Sequence, residues 1–326
     1  MFAVHIHPET RTLFWAETDT PAPGPGAVRI RVHATAANRA DLMQRAGHYD
    51  PPPGASPILG LECAGVIDAI GEGVDTVAIG DRVCALLAGG GYAEQVVCPA
   101  TQVMPIPGER SFAEAAAIPE VYTTAWLNLY REGRLRPGER VLLHAGASGV
   151  GTAAIQLLRR SGNPCMVSVG SQDKMDRCLA LGAMKAINRH ETAFVDAART
   201  WTGGQGVDVI LDPVGASYLG DNLKALAVYG RMVLIGLLGG RHGEIDLGRV
   251  LVRRLRIVGS VLRARSIAEK AEILAAMQAD IWPDLAAGSL KPIIDQIFPI
   301  QDAEAAHQRM KHNHNVGKII LTIVSS

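Results

Sequence analysis

An apolar run that leads directly into a glycine-rich turn constrains this 326-residue chain more than any other stretch. Residues 141–143 (Val-Leu-Leu) follow a Pro-Gly-Glu turn and predict a short buried strand. The turn after them contains Gly146, Gly149 and Gly151. Residues 152–160 then carry apolar side chains at helical spacing. A strand, a glycine turn and a helix in this order are typical of a dinucleotide-binding fold, in which the helix N-terminus faces the phosphates.

Each glycine of this turn has a predicted role. We expect Gly146 to allow the tight turn, Gly149 to let backbone N–H groups approach a pyrophosphate, and Gly151 to let the helix pack closely on the strand. The spacing is G-x-x-G-x-G, so a glycine turn without a ligand remains the alternative on these residues alone. The cofactor-binding residues predicted here are Gly146, Ala147, Ser148, Gly149 and Val150.

The segments after this turn predict a parallel sheet. Apolar runs alternate with helical patterns along most of this part of the chain. Such alternation favours a doubly wound sheet with helices on its faces. The predicted strands are 165–169, 186–187, 207–211, 232–238 and 255–261, and we interpret residues 121–262 as one Rossmann-type nucleotide domain.

The segments on either side of the nucleotide domain predict a second kind of unit. Short alternating strands separated by glycine turns indicate a compact barrel-like β domain over residues 1–120. After residue 262 the remaining chain is too short to form a domain alone, so we expect it to complete the first one. Residues 1–120 and 263–326 would then form one domain with the nucleotide domain inserted. Ligands would bind in the cleft between the two domains.

Bulk composition excludes several classes of protein. Lys plus Arg equals Asp plus Glu at 32 each, which argues against a nucleic-acid partner. No apolar stretch approaches the length that spans a bilayer, and residues 1–6 look like a strand rather than a signal peptide. The 5 cysteines are scattered without a C-x-x-C pair, as expected for buried apolar side chains in a reducing compartment. We therefore expect a cytoplasmic protein.

Several motifs occur in a recognisable order along nearly the whole chain. They are residues 38–47 (Asn-Arg-Ala-Asp-Leu-Met-Gln-Arg-Ala-Gly), 49–54, 59–62, the glycine turn, 170–172, 211–215 and 315–318. In these motifs the chain resembles the medium-chain dehydrogenase/reductases, in their zinc-free quinone oxidoreductase branch and closest to the p53-inducible quinone reductase type. The resemblance implies an α/β chain with a GroES-like β-barrel-type catalytic domain and an inserted Rossmann doubly wound parallel-sheet domain.

The resemblance also bears on metal binding. Zinc-dependent relatives hold the catalytic metal with a Cys, a His and a Cys, and the matching positions here are Asn38, Leu61 and about Pro119. None of these side chains is a plausible zinc ligand. Cys84 and Cys98 do not form the four-cysteine lobe of those relatives. The resemblance therefore implies a metal-free enzyme, which favours an easily reduced acceptor such as a quinone or activated alkene over alcohol oxidation.

The end of the second predicted strand of the nucleotide domain bears on the choice of cofactor. An NAD-preferring site places an acid there, but this chain has Gly170 and Ser171. Ser171 can donate to a 2′-phosphate and Lys174 can pair with its charge. The resemblance places Arg189 in the same pocket. Asp173 is discordant, and solvated surface charges are the alternative for Lys174 and Arg189; together these residues predict NADPH.

The resemblance places candidate catalytic residues before the nucleotide domain. Tyr49 is expected to donate a hydrogen bond to an acceptor oxygen that gains charge, with a packing aromatic as its alternative. Asn38 is expected to bond the acceptor or the nicotinamide. Asp41 is predicted to be catalytic, and a helix cap is its alternative. The roles of Glu62 and Glu120 remain open.

Further cofactor contacts follow from the resemblance. Thr123 is expected to hold the nicotinamide and Asn315 to close over the cofactor. Residues after the fifth and sixth predicted strands are expected to line the nicotinamide pocket, with plain sheet core as their alternative. These are Gly236, Leu237, Ser260 and Leu262.

These observations predict an NADPH-dependent quinone reductase that transfers a hydride to a quinone in the interdomain cleft without a metal ion. One alternative is reduction of α,β-unsaturated carbonyls or enoyl thioesters. An alternative of another class is a non-catalytic NADPH-binding protein or redox sensor. Small-molecule acceptors are the expected partners, without nucleic acid or membrane. A homodimer or homotetramer is expected to pair through residues 234–238 or 255–261.

Overall fold

The computed structural model describes residues 1–323, so Val324, the end of a strand that the sequence predicts over residues 316–324, lies outside the described residues. The chain divides into two compact units. One unit contains Met1–Thr123 together with the chain from Leu262 onward, and the other contains Thr124–Val261. Each unit is built around a sheet of its own.

The elements of the chain up to the first unit boundary are mostly strands. In order they are β1 (Phe2–Ile6), β2 (Leu13–Glu17), β3 (Ala27–Ala37), α1 (Arg39–Arg45), β4 (Glu62–Ile70), β5 (Arg82–Leu86), β6 (Gln95–Pro99), β7 (Val103–Pro105), α2 (Phe112–Ala115) and α3 (Pro119–Trp126).

Strands and helices alternate through the second unit. A π-helical segment, Leu127–Glu132, is followed by β8 (Val141–His144), α4 (Gly149–Ser161), β9 (Cys165–Val169), α5 (Gln172–Leu181), β10 (Lys185–Asn188), α6 (Phe194–Trp201), β11 (Val207–Asp212), α7 (Leu219–Ala225), β12 (Leu226–Leu234), α8 (Leu247–Arg253) and β13 (Arg256–Gly259). The chain then continues with α9 (Ile267–Ala287), β14 (Ile294–Pro299), α10 (Ala303–Lys311) and β15 (Lys318–Thr322).

The sheet of the first unit joins the two ends of the chain. Its strand order is β14-β15-β3-β4-β5-β7, with β6 also paired to β3. Strand β15 runs antiparallel to β3, and Ile319 lies opposite Ala37. Apolar side chains of β3, β4 and β15, among them Ile30, Ile67 and Ile319, are fully buried in one core. The C-terminal tail therefore completes the N-terminal sheet.

The sheet of the second unit confirms the predicted doubly wound arrangement. Its strand order is β10-β9-β8-β11-β12-β13, and every pair of neighbours is parallel. The chain proceeds from β8 to β10 on one side and then resumes at β11 on the other. The order therefore reverses between β8 and β11, and ligands of such folds bind at the carboxyl ends of the strands at this point.

Several predicted boundaries in this unit differ from the structure: the predicted strand 255–261 is shortened to β13 (Arg256–Gly259), and the largest differences are at β12 and α4. Strand β12 occupies Leu226–Leu234, whereas the apolar run predicts 232–238. Residues beyond Leu234 leave the ladder because their N–H groups bond the loop after β11: Leu238 N donates to Pro213 O at 3.2 Å and Gly239 N to Val214 O at 2.7 Å. Helix α4 begins at Gly149 rather than at 152, because the Ser148 side chain caps it and accepts from Gly151 N.

The glycine turn before α4 also differs from the prediction in detail. The left-handed residue is Ala145, with φ 54°, so Gly146 does not provide the tight turn. A Cβ at Gly146 would lie 2.6 Å from Val167 Cβ on β9, and this close approach is what requires glycine there. A Cβ at Gly151 would lie 2.4 Å from Gly146 O, which confirms that Gly151 lets the helix pack closely.

His144 has the buried structural role that a lone histidine in a strand predicts. Its Nδ1 lies 2.8 Å from Ser168 Oγ and its Nε2 lies 2.7 Å from Asn222 Oδ1. Asn222 Nδ2 in turn donates to Asp212 Oδ2 at 3.0 Å. Burial lowers the pKa of His144 to about 4, so the ring is neutral at pH 7. The network holds the carboxyl ends of β8, β9 and β11 to α7.

The close contact at Gly151 gives a testable prediction. Gly151→Ala should destabilise the protein by more than about 2 kcal/mol, because the methyl group meets backbone that cannot move without shifting the turn. Gly220→Ala, also in a helix, has nothing within 4 Å of its Cβ and should stabilise by about 0.5–1 kcal/mol. Urea unfolding measures both. Equal effects of the two substitutions would contradict the close approach.

Candidate functional site

The N-terminus of α4 offers donors of the kind that bind phosphate. Ser148 Oγ accepts from Gly151 N at 3.0 Å, and Ser148 O accepts from Thr152 N at 2.8 Å. The first turn of a helix has no intrahelical acceptors for its N–H groups, which leaves those of Gly149 and Val150 for a ligand. Both residues are partly exposed. The helix dipole adds a partial positive charge at the same place.

The carboxyl end of β9 brings together the residues predicted to bind a 2′-phosphate. A Cβ at Gly170 would lie 3.0 Å from Arg189 Nη1, so the absence of a side chain gives the guanidinium its place. Ser171 caps α5, and its Oγ accepts from Lys174 N at 3.4 Å while its hydroxyl hydrogen can still be donated.

Asp173 does not oppose this arrangement. Its carboxylate forms an ion pair with Arg177 at 3.4 Å on the outer surface of α5, and both side chains are more than half exposed. An exposed pair of this kind contributes little to stability. Its geometry nevertheless explains why an acid can stand two residues after Ser171 without occupying the place of the acid that binds a ribose 2′-hydroxyl.

Other residues predicted to contact the nicotinamide follow β12 and β13. A Cβ at Gly236 would lie 2.9 Å from Pro213 O, so this position accepts only glycine without a shift. The side chain of Leu237 is 48% exposed. Ser260 is buried, its N–H donates to Leu234 O at 3.0 Å, and its Oγ has no hydrogen-bond partner among residues 1–323. A buried hydroxyl without a partner is uncommon and fits a polar ligand.

The remaining predicted cofactor contacts belong to the first unit. Thr123 is fully buried and its hydroxyl lies 3.4 Å from Met277 Sδ. Leu262 is buried, and Asn315 Nδ2 donates to Gly317 O at 2.8 Å. These contacts are internal to the unit, and the predicted roles of all three residues toward the cofactor stay predictions.

Asn38 and Asp41 form a capping box at the start of α1. Asp41 is fully buried; its Oδ2 accepts from Asn38 N at 2.7 Å and its Oδ1 from Gly60 N at 3.0 Å. Burial raises the pKa of Asp41 to about 6, although these backbone donors and the charge of Lys318 oppose the rise. The Tyr92 hydroxyl also donates to Asp41 Oδ2 at 3.3 Å. Asp41 therefore caps α1 and joins it to Gly60 and Tyr92, and a direct part in catalysis stays a prediction.

A buried ion pair that sequence reasoning missed fixes the side chain of Asn38. Lys318 Nζ lies 2.7 Å from Glu62 Oε1 and donates to Asn38 Oδ1 at 2.7 Å and to Ala37 O at 2.9 Å. Asn38 Nδ2 donates to Glu62 Oε1 at 2.9 Å and to Ala36 O at 3.2 Å. Both amide hydrogens of Asn38 are thus engaged internally, and a second lone pair of Oδ1 is what its side chain offers a ligand.

Tyr49 keeps its hydroxyl available. The ring is half-buried, and within residues 1–323 its hydroxyl forms no hydrogen bond. The guanidinium of Arg263, which sequence reasoning also missed, lies over the ring with Cζ 5.2 Å from the centroid. Burial raises the pKa of Tyr49, the charge of Glu120 adds to the rise, and the charge of Arg263 opposes it. Tyr49 is therefore a neutral donor near pH 7.

Glu120 lies next to the ion pair. Its backbone N–H donates to Glu62 Oε2 at 2.9 Å. Burial, reinforced by the nearby Glu62 charge, raises the pKa of Glu120 to about 8, so its carboxyl is largely protonated at pH 7. The charge of Lys270 acts against this rise.

The described residues also bear on metal binding and on membrane insertion. Residues 1–323 contain no group of three or more His, Cys, Asp or Glu side chains placed to hold a metal ion. Among the helices described, none has the length and apolar character that a bilayer crossing needs.

The fold and the N-terminus of α4 define a class, the two-unit dehydrogenases with a Rossmann sheet. Comparison with known proteins agrees. The alcohol dehydrogenase GroES-like domain family matches residues 24–108, and the zinc-binding dehydrogenase family matches residues 149–279.

Individual relatives place the chain further. It is 35% identical over 300 residues to the lovastatin diketide synthase of Aspergillus terreus, covering 89% of this chain but 12% of that protein. It is 32% identical over 294 residues to the quinone oxidoreductase of Rattus norvegicus, covering 90% and 88% of the two chains. The structure of Escherichia coli quinone oxidoreductase complexed with NADPH matches with a TM-score of 0.88 and 28% identity, over 99% of this chain and 100% of that one.

The chain belongs to the medium-chain dehydrogenase/reductase superfamily and has quinone oxidoreductases among its relatives.

The buried pair of Lys318 and Glu62 gives the prediction of this section. Glu62→Gln should destabilise the protein by about 3–5 kcal/mol, because it leaves the Lys318 ammonium buried without a counter-charge. Lys318→Met should do the same to Glu62. The double variant should lose less than the sum of the two, as urea unfolding can measure.

A surface pair supplies the control. Asp221→Asn removes the partner of Lys224, and both of those side chains are more than half exposed, so it should cost less than about 1 kcal/mol. Strict additivity of Glu62→Gln and Lys318→Met would contradict the pairing.

Proposed function

We propose that the protein is an NADPH-dependent quinone reductase that needs no metal ion. Its similarity to the rat quinone oxidoreductase and to the Escherichia coli enzyme complexed with NADPH supports the proposal. The observation that carries the cofactor preference is the end of β9, where Arg189 lies against Gly170. The acidic side chain that an NAD-preferring site has at this position is replaced by Gly170 and Ser171. The observation that carries the acceptor class is the hydroxyl of Tyr49, which forms no hydrogen bond within residues 1–323. The guanidinium of Arg263 lies over the face of the same ring.

In this proposal the second unit binds the cofactor. The N–H groups of Gly149 and Val150 bond the pyrophosphate at the positive end of α4. The hydroxyl of Ser171 and the charges of Lys174 and Arg189 bind the 2′-phosphate. When bound, NADPH supplies a hydride. Contacts with the nicotinamide end remain part of the proposal; they are assigned to Gly236, Leu237 and Ser260 of this unit and to Thr123, Leu262 and Asn315 of the first unit.

The acceptor needs little acid–base chemistry from the protein. A quinone takes up a hydride and one proton to become a hydroquinone, and the oxygen that gains charge must be stabilised in the meantime. Tyr49 is the proposed hydrogen-bond donor to that oxygen. Asn38 and Asp41 act by holding α1, which precedes the Tyr49 loop. Proximity and exclusion of water supply the larger part of the rate.

We also propose that the protein associates through the edge of the nucleotide sheet. Strand β13 pairs with β12 and is an edge strand in the described part of the chain. The preceding helix α8 leaves Leu247, Leu251 and Val252 at least 69% exposed. Apolar side chains beside an unpaired edge favour a symmetric contact with a second copy. Whether a homodimer or a homotetramer results stays open, as does a cytoplasmic location.

An acceptor panel tests the proposed activity. NADPH and NADH oxidation should be followed with ortho- and para-quinones, conjugated enones and an enoyl thioester, in metal-free buffer with a chelator. We expect quinone turnover with NADPH that the chelator does not reduce, and kcat/KM at least about tenfold lower with NADH, since the 2′-phosphate contacts are charge-assisted.

The other outcomes separate the alternatives. Turnover of enones or enoyl thioesters with negligible quinone turnover would replace the proposed acceptor by an activated alkene. Tight NADPH binding without oxidation by any acceptor would indicate a binding protein or redox sensor. Loss of activity with the chelator would contradict the metal-free proposal.

A further inference from the structure

Arg263 is an unusual arginine for its position in the chain. It follows the second unit boundary directly and is 4% exposed. Its Nε donates to Ala88 O at 2.8 Å and its Nη2 donates to Gln44 Oε1 at 2.7 Å. Gln44 Nε2 in turn donates to Pro57 O at 2.8 Å. The Arg263 side chain therefore joins α1 to the loop after β5, and Gln44 extends the network to the loop before β4.

One nitrogen of the Arg263 guanidinium lacks a hydrogen-bond partner in the part of the chain that the structure describes. Its Nη1 is buried and has no partner among residues 1–323. A buried donor without an acceptor costs free energy, so a compensating contact is expected. The contact that the structure shows is with the face of the Tyr49 ring, 5.2 Å from Cζ to the centroid. A desolvated guanidinium over an aromatic face is attracted to it by about 2 kcal/mol.

Within residues 1–323, the loop that carries Tyr49 forms few backbone hydrogen bonds. The chain enters it through Gly47, at φ 77°, and turns again at Gly54, at φ 80°. His48 and Asp50, on either side of Tyr49, are exposed. The backbone bonds near this point, such as His48 N to Met43 O at 2.9 Å, hold the end of α1 rather than the tyrosine. The orientation of the ring therefore depends on what lies against its face.

We propose that Arg263 is the positioning residue for Tyr49: it holds the ring by its face and so leaves the hydroxyl for the acceptor. A hydrogen bond to the hydroxyl would fix the ring equally well but would use the group that the reaction needs. Gln44 and Ala88 fix the guanidinium in turn. This inference rests on the proposed function, because the acceptor is what the hydroxyl is held for.

A double-mutant cycle tests this dependence. Arg263→Gln and Tyr49→Phe should each lower kcat/KM for the quinone by about tenfold or more, mainly in kcat. Tyr49→Phe removes the hydroxyl that bonds the acceptor, and Arg263→Gln removes the group that positions it, so the two substitutions act through the same hydroxyl. The double variant should be within about twofold of Tyr49→Phe alone. Arg263→Lys, which keeps a cation but not both hydrogen bonds, should fall between wild type and Arg263→Gln.

Arg110 supplies a control for the loss of a largely buried arginine, since its side chain is 10% exposed. Its Nη2 donates to two backbone carbonyls, Leu285 O at 2.6 Å and Leu290 O at 2.8 Å, and its Nε is buried without a partner among the described residues. Arg110→Gln should lower the unfolding temperature as Arg263→Gln does but leave kcat unchanged. If the effects of Arg263→Gln and Tyr49→Phe on kcat/KM multiply, or if Arg110→Gln lowers kcat as much, Arg263 has a structural role alone and the inference is overturned.

A spectroscopic readout keeps this test separate from the proposed activity. The chain has 6 tyrosines, so 3-fluorotyrosine labelling gives a simple ¹⁹F spectrum in which the Tyr49 signal is the one lost in Tyr49→Phe. Arg263→Gln should shift that signal, and Arg110→Gln should not. An unmoved signal overturns the inference whatever the acceptor is, whereas a shifted signal in an enzyme that reduces no quinone contradicts the proposed function alone.

Discussion

The contact between the first turn of α4 and the turn after β8 is the constraint on which the second unit depends. Gly151 lies so close to Gly146 O that a methyl group would stand 2.4 Å from it. This approach seats the helix N-terminus over the carboxyl end of β8, beside the point where the strand order reverses. Ser148 takes up the N–H of Gly151, and the donors left over are the ones that can bind a pyrophosphate. The close approach of α4 to the turn thus determines both how the helix packs and where the N–H groups that can bind a pyrophosphate lie.

The first unit depends on a different interaction, the buried pair of Lys318 and Glu62. It joins the last strand of the chain to β4 and sets the amide of Asn38 through the same ammonium group. By the sequence resemblance, Asn38 occupies a position at which zinc-dependent relatives have a metal ligand. Here both amide hydrogens of that side chain form hydrogen bonds, to Glu62 Oε1 and Ala36 O, so its described role is to hold β3 and β4 together at the start of α1. The loop with Tyr49 then carries the donor that remains available.

Local patterns were sufficient for much of the fold. The strand β9 has the predicted bounds, because its apolar spacing and its flanking residues agree with each other. The prediction for β12 was wrong at both ends, since hydrogen bonds to the loop after β11 decide where that strand stops. The turn at Ala145 could not be read from the glycine pattern, because a non-glycine residue takes the left-handed conformation there.

The site could be predicted only in part, for a similar reason. The end of β9 follows from a short stretch of sequence, and the structure brings Gly170 and Arg189 together as expected. The partner of Glu62 lies at the other end of the chain, and its one local signal was a lysine inside an apolar strand. Arg263 gave no such signal. Contacts between residues so far apart in sequence are set by the completed sheet and not by any local pattern.

The most direct test of the account is calorimetric binding of NADPH and NADH to the wild type and to Lys174→Ala/Arg189→Ala. We predict at least about a hundredfold weaker NADPH binding in the double variant and little change for NADH, because each lost charge-assisted bond is worth about 1.5–3 kcal/mol. Arg177→Ala, which removes a charge from the same helix at its pair with Asp173, should leave both affinities unchanged. An equal loss for NADPH and NADH would contradict a 2′-phosphate site at the end of β9.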